Sequence, residues 1–239
     1  MKSQTTFNKL KQSSPLISVG ILTADMMHLG SEIELLEDAG VELLHIDVMD
    51  GCIWSKITVG PPFLAGLKTK MLKDVHLLID KPEKHIESFA KAGADIIVFS
   101  VEYCDDVSQT LSMIGQMENV NDPDRGILRG VSLNPETPID IVAPVIDDVD
   151  IVLLLAVGPD TGGQNYISEL PGKITELKKV KEDVLIFVDG AIKKDNIAEV
   201  AAMGPDVIIT GSAVFDGKDP AGNAKFMMET INERKAVKG

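Results

Sequence analysis

The 239-residue sequence is poor in cysteine, in aromatic residues and in positive charge. Its two cysteines, Cys52 and Cys104, are too few for a disulfide framework and are typical of a protein in the reducing cytoplasm. The 23 basic against 37 acidic side chains give a formal net charge of −14, which argues against a nucleic-acid partner because clustered Lys and Arg hold such partners. No apolar run approaches the roughly 20 residues of a membrane-spanning helix, so no membrane partner is expected.

A large core is nevertheless available, because 44% of the residues are hydrophobic. Residues 1–14 are polar and lack the pattern of a signal peptide, and we expect them to form a loosely held N-terminal extension. Residues 15–239 are expected to form a single domain, since α/β barrels commonly reach about 200–250 residues as one unit. The polar segment Asn119–Arg129 should be an exposed excursion.

Eight apolar runs rich in Val, Ile and Leu have the composition of buried strands. They are Leu16–Leu22, Leu43–Val48, Val75–Ile79, Ile96–Val101, Gly130–Leu133, Asp150–Val157, Val184–Asp189 and Val207–Thr210. Amphipathic helical segments lie between them. This alternation predicts an α/β fold, a closed (β/α)8 TIM barrel, with an open doubly wound sheet as the alternative. The glycine spacing of a dinucleotide site is missing after the first strand, so no nucleotide cofactor is expected.

Two histidines and two aspartates occupy matching positions on three of the predicted strands. His45 and Asp47 share one face of the second strand, His76 lies on the third and Asp189 on the seventh, while their apolar neighbours take the opposite face. Because the outer face of a barrel strand packs on helices, all four side chains should point inward, at the end where barrel active sites form.

Such a cluster needs a reason, because two carboxylates repel each other in a dry interior. One divalent metal ion removes that repulsion, and His nitrogens with Asp oxygens suit Zn²⁺, Fe²⁺ or Mn²⁺. The alternative is two separate His–Asp hydrogen-bonded pairs. The other two histidines, His28 and His85, are expected to be solvated or locally hydrogen-bonded.

Glycine-rich turns follow the last three predicted strands, at Gly158–Gln164, Asp189–Ala191 and Gly211–Ala213. Such turns expose backbone N–H groups at helix starts, where anions bind. A single glycine pair predicts only a turn. Three adjacent turns at the place where barrels bind phosphate indicate a TIM barrel of the phosphate-binding type.

Several motifs resemble those of the ribulose-phosphate 3-epimerase family, and the resemblance runs from about Leu16 to Phe215. The motifs are His45-Ile46-Asp47-Val48-Met49-Asp50-Gly51, Asp74-Val75-His76-Leu77, Asn134-Pro135-Glu136-Thr137-Pro138, Gly162-Gly163-Gln164 and Val188-Asp189-Gly190. The first of them is the most specific.

The resemblance implies that His45, Asp47, His76 and Asp189 bind the metal ion and that Asp47 and Asp189 form the catalytic acid–base pair. It also implies a phosphorylated sugar substrate, bound by His76, Met49, Asp160, Thr161, Gly162, Gly163, Gly190, Ala191, Gly211 and Ser212. The implied activity is that of an isomerase of the pentose phosphate pathway, which epimerises D-ribulose 5-phosphate at C3 through a metal-stabilised enediolate. A homo-oligomer, either a dimer or a hexamer, is left open.

The sequence departs from the family pattern at Gly20, where a Ser is usual, in the loop Gly51–Lys56 and in the turn Gly158–Gly163. These changes permit another ketose phosphate, such as allulose 6-phosphate, and they also motivate a sugar-phosphate-binding barrel without turnover. A barrel decarboxylase or aldolase is a further alternative. Those enzymes use a Lys near the second or third strand, where Ile46 and Val48 supply no amine.

Overall fold

The computed structural model of the protein describes residues 3–159 and 165–238. Within these residues the strands are β1 (Leu16–Gly20), β2 (Leu43–Met49), β3 (Leu72–Leu78), β4 (Ile96–Ser100), β5 (Leu128–Leu133), β6 (Ile151–Leu155), β7 (Leu185–Asp189) and β8 (Val207–Thr210). All neighbours are parallel, and the strands form a closed barrel in chain order. The predicted TIM barrel is therefore confirmed. The open sheet is excluded, because β1 pairs with β8 along four residues, from Leu16 with Val207 to Val19 with Thr210.

Helices connect the strands on the outside of the barrel. In the described part of the chain the α-helices are α1 (Gln4–Ser13), α2 (Leu29–Ala39), α3 (Pro61–Gly66), α4 (Ile86–Lys91), α5 (Val107–Gln116), α6 (Leu170–Val180), α7 (Ile197–Ala202) and α8 (Pro220–Lys238). Between β5 and β6 the connection is a 3-10 segment, Ile139–Asp148, which contains Pro144. A proline in that position lacks the N–H that an α-helix would need. None of the described helices has both the length and the apolarity to cross a bilayer.

The barrel interior is apolar at its N-terminal end and polar at the other. Successive side chains of a strand point to opposite faces, so every second residue enters the barrel. The buried apolar residues inside include Leu43, Leu72, Ile96, Leu128, Ile151, Leu153, Leu185, Phe187 and Val207. Toward the C-terminal ends of β2, β3 and β7 the inward positions change to histidine and aspartate. This gradient places the polar site at one mouth of the barrel.

The expected loosely held N-terminal extension is instead a helix packed on the barrel. Leu10 of α1 is fully buried in the same cluster as the interior strand residues, with Phe7 packed beside it. Lys11 fixes the helix by donating from Nζ to the carbonyl oxygen of Val184 and to Asp206, each at 3.0 Å. The segment is polar on average, but a helix needs only one apolar face to dock. Helix α1 therefore closes the N-terminal end of the barrel.

The segment Asn119–Arg129 is only partly the exposed excursion that its composition predicts. Residues 120–124 are exposed. Asn119, however, is fully buried, and its side-chain amide donates to Asp95 and to the carbonyl oxygen of Gly126, both at 2.9 Å. Arg129 belongs to β5 and forms an ion pair with Asp150 at 3.1 Å. Both ends of the segment are thus built into the fold, because buried hydrogen-bond partners satisfy their polar groups.

Candidate metal centre and active site

The structure brings together all four side chains that strand alternation placed inside the barrel. His45 and Asp47 project inward from β2, His76 from β3 and Asp189 from β7. One nitrogen or oxygen atom from each residue can be chosen so that all four atoms lie within 4.8 Å of one another. The two histidines are fully buried, and Asp47 keeps 23% of its side chain exposed toward the mouth. The predicted cluster is therefore a single site at the C-terminal end of the barrel.

Asp47 lies between the two imidazole rings. Its Oδ1 atom is 3.1 Å from Nε2 of His45 and 3.2 Å from Nδ1 of His76. Those nitrogens are the ones that face the cluster. Since both rings turn a nitrogen toward one carboxylate oxygen, the alternative of two separate His–Asp pairs does not describe the arrangement.

The second nitrogen of each ring, which faces away from the cluster, also has a buried hydrogen-bond partner. Nδ1 of His45 lies 2.8 Å from Asp74, and Nε2 of His76 lies 2.9 Å from the hydroxyl of Ser132. Ser18 in turn donates to Asp74 at 3.2 Å, and Ser100 pairs with Ser132 at 3.2 Å. Hydrogen bonds of this kind fix the orientation and tautomer of a metal-binding histidine. Four inward-facing polar residues thus hold the two rings in place, either directly or through one another. They are Ser18, Asp74, Ser100 and Ser132.

Sequence reasoning missed these supporting residues, although a signal was present. Asp74 is two residues before His76 and so shares its inward face, and Ser132 has the same parity within β5. Asp74 falls just outside the predicted third strand, which starts at Val75, whereas Ser132 lies inside the predicted fifth strand, where one serine does not by itself indicate a site.

The clustered residues shift one another's pKa values, and they shift those of the two aspartates in opposite directions. Burial, together with the negative charge of Asp47, raises the pKa of Asp189 to about 6. Burial also opposes ionisation of Asp47, but the charge of His45 and hydrogen bonds from both histidines lower the pKa of Asp47 below its ordinary range. Burial likewise disfavours the charged form of His45, yet Asp47 and Asp74 raise the pKa of that imidazole well above its usual value. Two carboxylates thus compete for limited positive charge.

The donor set fits one divalent cation. Two imidazole nitrogens and two carboxylate oxygens are the ligands that Zn²⁺, Fe²⁺ and Mn²⁺ accept. An added cation would also neutralise the carboxylate pair that burial otherwise destabilises. His45, Asp47, His76 and Asp189 are therefore the residues that could hold a metal ion.

A cavity next to the cluster is lined by the turns that follow β7 and β8. Its walls contain Asp47, Asp189, Gly190, Ala191, Gly211 and Ser212, all predicted site residues. A Cβ atom on Gly190 would lie 2.8 Å from the side chain of Val157, and Gly190 has a φ of +110°. A Cβ atom on Gly211 would lie 2.8 Å from the carbonyl oxygen of Gly20. Both positions need glycine, and they leave the backbone bare toward the cavity.

The remaining predicted site residues are placed as follows. Met49 ends β2 and packs, partly buried, against the interior cluster. Asp160, Thr161, Gly162 and Gly163 lie outside the described residues. The cavity walls also include Thr23 and Lys193, which sequence reasoning did not single out.

The two histidines that were expected to be spectators lie away from the cluster. His28 is exposed, and its Nδ1 atom is 2.8 Å from Asp25. His85 is also exposed, immediately before α4. Neither belongs to the group of residues that could bind a metal ion. The sequence-based interpretation of both is confirmed.

Comparison with known proteins agrees with the motifs and the fold. A family model described as the ribulose-phosphate 3 epimerase family matches residues 16–215. The chain is 39% identical over 210 residues to the ribulose-phosphate 3-epimerase of Bacillus subtilis (strain 168), covering 85% of this chain and 93% of that protein. It is 36% identical over 211 residues to the Escherichia coli (strain K12) protein of the same name, covering 85% and 90%.

Among solved structures, 3-hexulose-6-phosphate synthase from Salmonella typhimurium matches with a TM-score of 0.62 at 19% identity, over 92% of this chain and 99% of that one. That likeness supports the barrel fold alone. The family model and the two relatives cover most of the chain. They name the same family that the motifs on β2, β3 and β7 resemble. This chain belongs to the ribulose-phosphate 3-epimerase family.

Proposed function

We propose that this protein is an isomerase that epimerises a ketose phosphate at C3, converting D-ribulose 5-phosphate to D-xylulose 5-phosphate with one divalent metal ion. The observation that carries the proposal is the meeting of Asp47, Asp189 and two histidines within 4.8 Å at the mouth of the barrel. The cavity beside them is lined by bare backbone turns suited to an anion. Family membership supplies the reaction class.

Inversion at C3 requires proton transfer on both faces of the carbon, because a single base would return the proton to the face it came from. Asp47 and Asp189 project from β2 and β7, which are not neighbours in the barrel, and both line the cavity. We assign one carboxylate to remove the C3 proton and the other to donate a proton to the opposite face. Positioned acid–base groups of this kind typically contribute about 10²–10⁴-fold.

The C3 proton is acidified by the neighbouring C2 carbonyl, and the residues of the cluster are proposed to bind the ion that strengthens this effect. A divalent ion held by His45, Asp47, His76 and Asp189 would act as a Lewis acid on the substrate oxygens, which is worth several kcal/mol. Asp74 and Ser132 hold the two rings in the required orientation. Zn, Fe(II) and Mn all suit the donor set.

The substrate is proposed to lie with its phosphate against the turns after β7 and β8. Gly190, Ala191, Gly211 and Ser212 offer backbone and hydroxyl groups there, and the turn 160–163 is proposed to complete the phosphate site. His76 and Met49 are proposed to contact the sugar end. No nucleotide cofactor is part of this proposal.

A second ketose phosphate, allulose 6-phosphate, is favoured by one feature of the cavity. Gly20 lines it where the family usually has serine, and a Cβ atom there would meet only the Gly211 backbone, with its Cα atom at 3.5 Å and its nitrogen at 3.8 Å. The missing side chain leaves space at the end of β1 that a hexulose could use.

The test is to incubate the metal-loaded protein in deuterated water with D-ribulose 5-phosphate and, separately, with allulose 6-phosphate, and to follow C3 by NMR. Deuterium at an inverted C3 supports the proposal, and the faster substrate identifies the ketose. Carbon–carbon cleavage would indicate an aldolase or a decarboxylase instead. Saturable binding without exchange would indicate a sugar-phosphate-binding protein.

We also propose a cytoplasmic location. Cys52 and Cys104 are both free, which suits a reducing compartment. Residues 15–239 are proposed to form one catalytic domain.

A further inference from the structure

One lysine stands at the part of the cavity where the phosphate is proposed to bind. Lys193 follows the turn after β7 and lines the same cavity as Gly190, Ala191, Gly211 and Ser212. We propose that the ammonium group of Lys193 binds the substrate phosphate and makes the enzyme select phosphorylated ketoses. This inference rests on the proposed function, which places the phosphate there.

The ammonium group is free to take an anion. Nζ of Lys193 donates a hydrogen bond to the hydroxyl of Ser212, a neutral partner. In the part of the chain that the structure describes, the ion pairs include none with Lys193. Its charge remains available to a ligand that reaches Ser212.

The next residue, Lys194, differs from Lys193 in its hydrogen-bond and ion-pair partners. Nζ of Lys194 lies 3.4 Å from Asp216 and also donates to Asn223. Lys194 is not among the residues that line the cavity with Asp47 and Asp189. Of two adjacent lysines, one is neutralised by a carboxylate outside the cavity and the other faces the cavity with only a hydroxyl partner.

The backbone that carries Lys193 is held in place by Asn196. The backbone N–H of Lys193 donates to Oδ1 of Asn196 at 2.7 Å, and the Asn196 amide donates to the carbonyl oxygen of Ala191 at 3.0 Å. These two bonds tie both ends of the turn to one side chain. Lys193 therefore starts from a fixed position, so that only its flexible side chain must adjust to a ligand.

The charge distribution of the cavity gives the substrate one orientation. Asp47 and Asp189 line the side formed by β2 and β7, whereas Lys193 and Ser212 come from the turns after β7 and β8. A phosphate monoester carries about −1.5 to −2 charges near pH 7 and accepts charge-assisted hydrogen bonds. It is attracted to the lysine and repelled by the carboxylates, which leaves the sugar carbons beside the aspartates.

The experiment compares Lys193→Met with Lys194→Met on two substrates, D-ribulose 5-phosphate and unphosphorylated D-ribulose. Loss of a charge-assisted hydrogen bond predicts a rise of about 10- to 100-fold in KM for the phosphorylated substrate. We expect kcat for that substrate, and kcat/KM for D-ribulose, to stay within about twofold. Lys194→Met should leave every value unchanged, and Lys193→Arg should recover most of the loss.

Binding of inorganic phosphate to the metal-loaded protein, followed by calorimetry, separates this inference from the proposed function. Affinity that falls in Lys193→Met but not in Lys194→Met supports the assignment even if no epimerisation is found. Normal epimerisation with unchanged KM and unchanged phosphate affinity in Lys193→Met overturns the assignment and leaves the function intact. Equal losses on the two ribuloses would also overturn it, because the lysine would then act on the sugar and not on the phosphate.

Discussion

Asp74 accepts a hydrogen bond from Nδ1 of His45 at 2.8 Å, and both side chains are fully buried. This bond leaves the opposite nitrogen, Nε2, facing Asp47 at 3.1 Å, and Nε2 is the atom that would give up its proton to bind a cation. The second oxygen of Asp74, Oδ1, has no hydrogen-bond partner among the described residues. The other oxygen, Oδ2, accepts from both His45 and Ser18, and the negative charge of the carboxylate makes the ring a better ligand.

Replacing Asp74 with Asn should weaken metal binding while leaving the four ligands in place. The amide can still accept from His45 but carries no charge, so the ring loses basicity. Changes of this kind typically cost about 10–100-fold in metal affinity. Competition with a chromogenic chelator measures the effect directly. Asp80→Asn is the matched control, since Asp80 follows the same strand but is exposed, and equal affinities in the two variants would contradict the role of Asp74.

Asp47→Asn and Asp189→Asn should each reduce epimerisation by about 10²–10⁴-fold or more, because inversion needs a base on both faces. The measurement is the rate of deuterium incorporation at C3 of D-ribulose 5-phosphate together with formation of the epimer. Asp183→Asn is the control, as Asp183 is exposed at the opposite end of β7 from Asp189. Circular dichroism should show the same fold in all three variants. Near-normal turnover in either site variant would refute its place in the acid–base pair.

Much of this site follows from strand parity in the sequence. Asp189 lies on the same side of its strand as Phe187 and opposite Val188, and that alternation alone aims it into the barrel. What parity does not identify is a polar residue at the start of a strand. Lys73 and Asp74 break the apolar run of β3, so the predicted strand begins three residues late, at Val75 instead of Leu72. In the structure, Asp74 is satisfied by His45 and Ser18, which come from other strands.

Two further strand ends differ from their predicted positions for local reasons. The predicted first strand runs to Leu22, but β1 ends at Gly20 because Ile21–Thr23 form a 3-10 turn at the mouth of the cavity. The predicted fifth strand starts at Gly130, whereas β5 starts at Leu128. Arg129 looks like a loop residue by composition, yet its guanidinium reaches Asp150, the residue just before β6. Such partners are distant in sequence and cannot be read from a local pattern.

Removing the metal ion should both stop epimerisation and lower the melting temperature. A ligand that binds only the folded state stabilises it by about 2.7 kcal/mol at a concentration 100 times its Kd. For a chain of this size that corresponds to roughly 5–10 °C. Thermal melts of chelator-treated protein, repeated after adding Zn²⁺, Mn²⁺ or Fe²⁺, measure the shift and rank the ions.

The matched sample for that experiment is Asp47→Asn, which removes one negatively charged ligand of the proposed four. Its melting temperature should respond little to added metal. A shift of the same size in this variant would place the stabilising ion somewhere else on the protein.

Leu10→Ala should destabilise the fold, because α1 closes the barrel with that side chain. Leu10 is fully buried and contacts the interior cluster, and removing a buried leucine side chain typically costs about 2–5 kcal/mol. The free energy of unfolding from urea titration checks the value. Leu35→Ala is the control, since 45% of Leu35 on α2 is exposed, and its loss should be small. If the two variants unfold at the same urea concentration, α1 contributes no more than a surface helix, and residues 1–14 would be the loosely attached segment that their composition suggests.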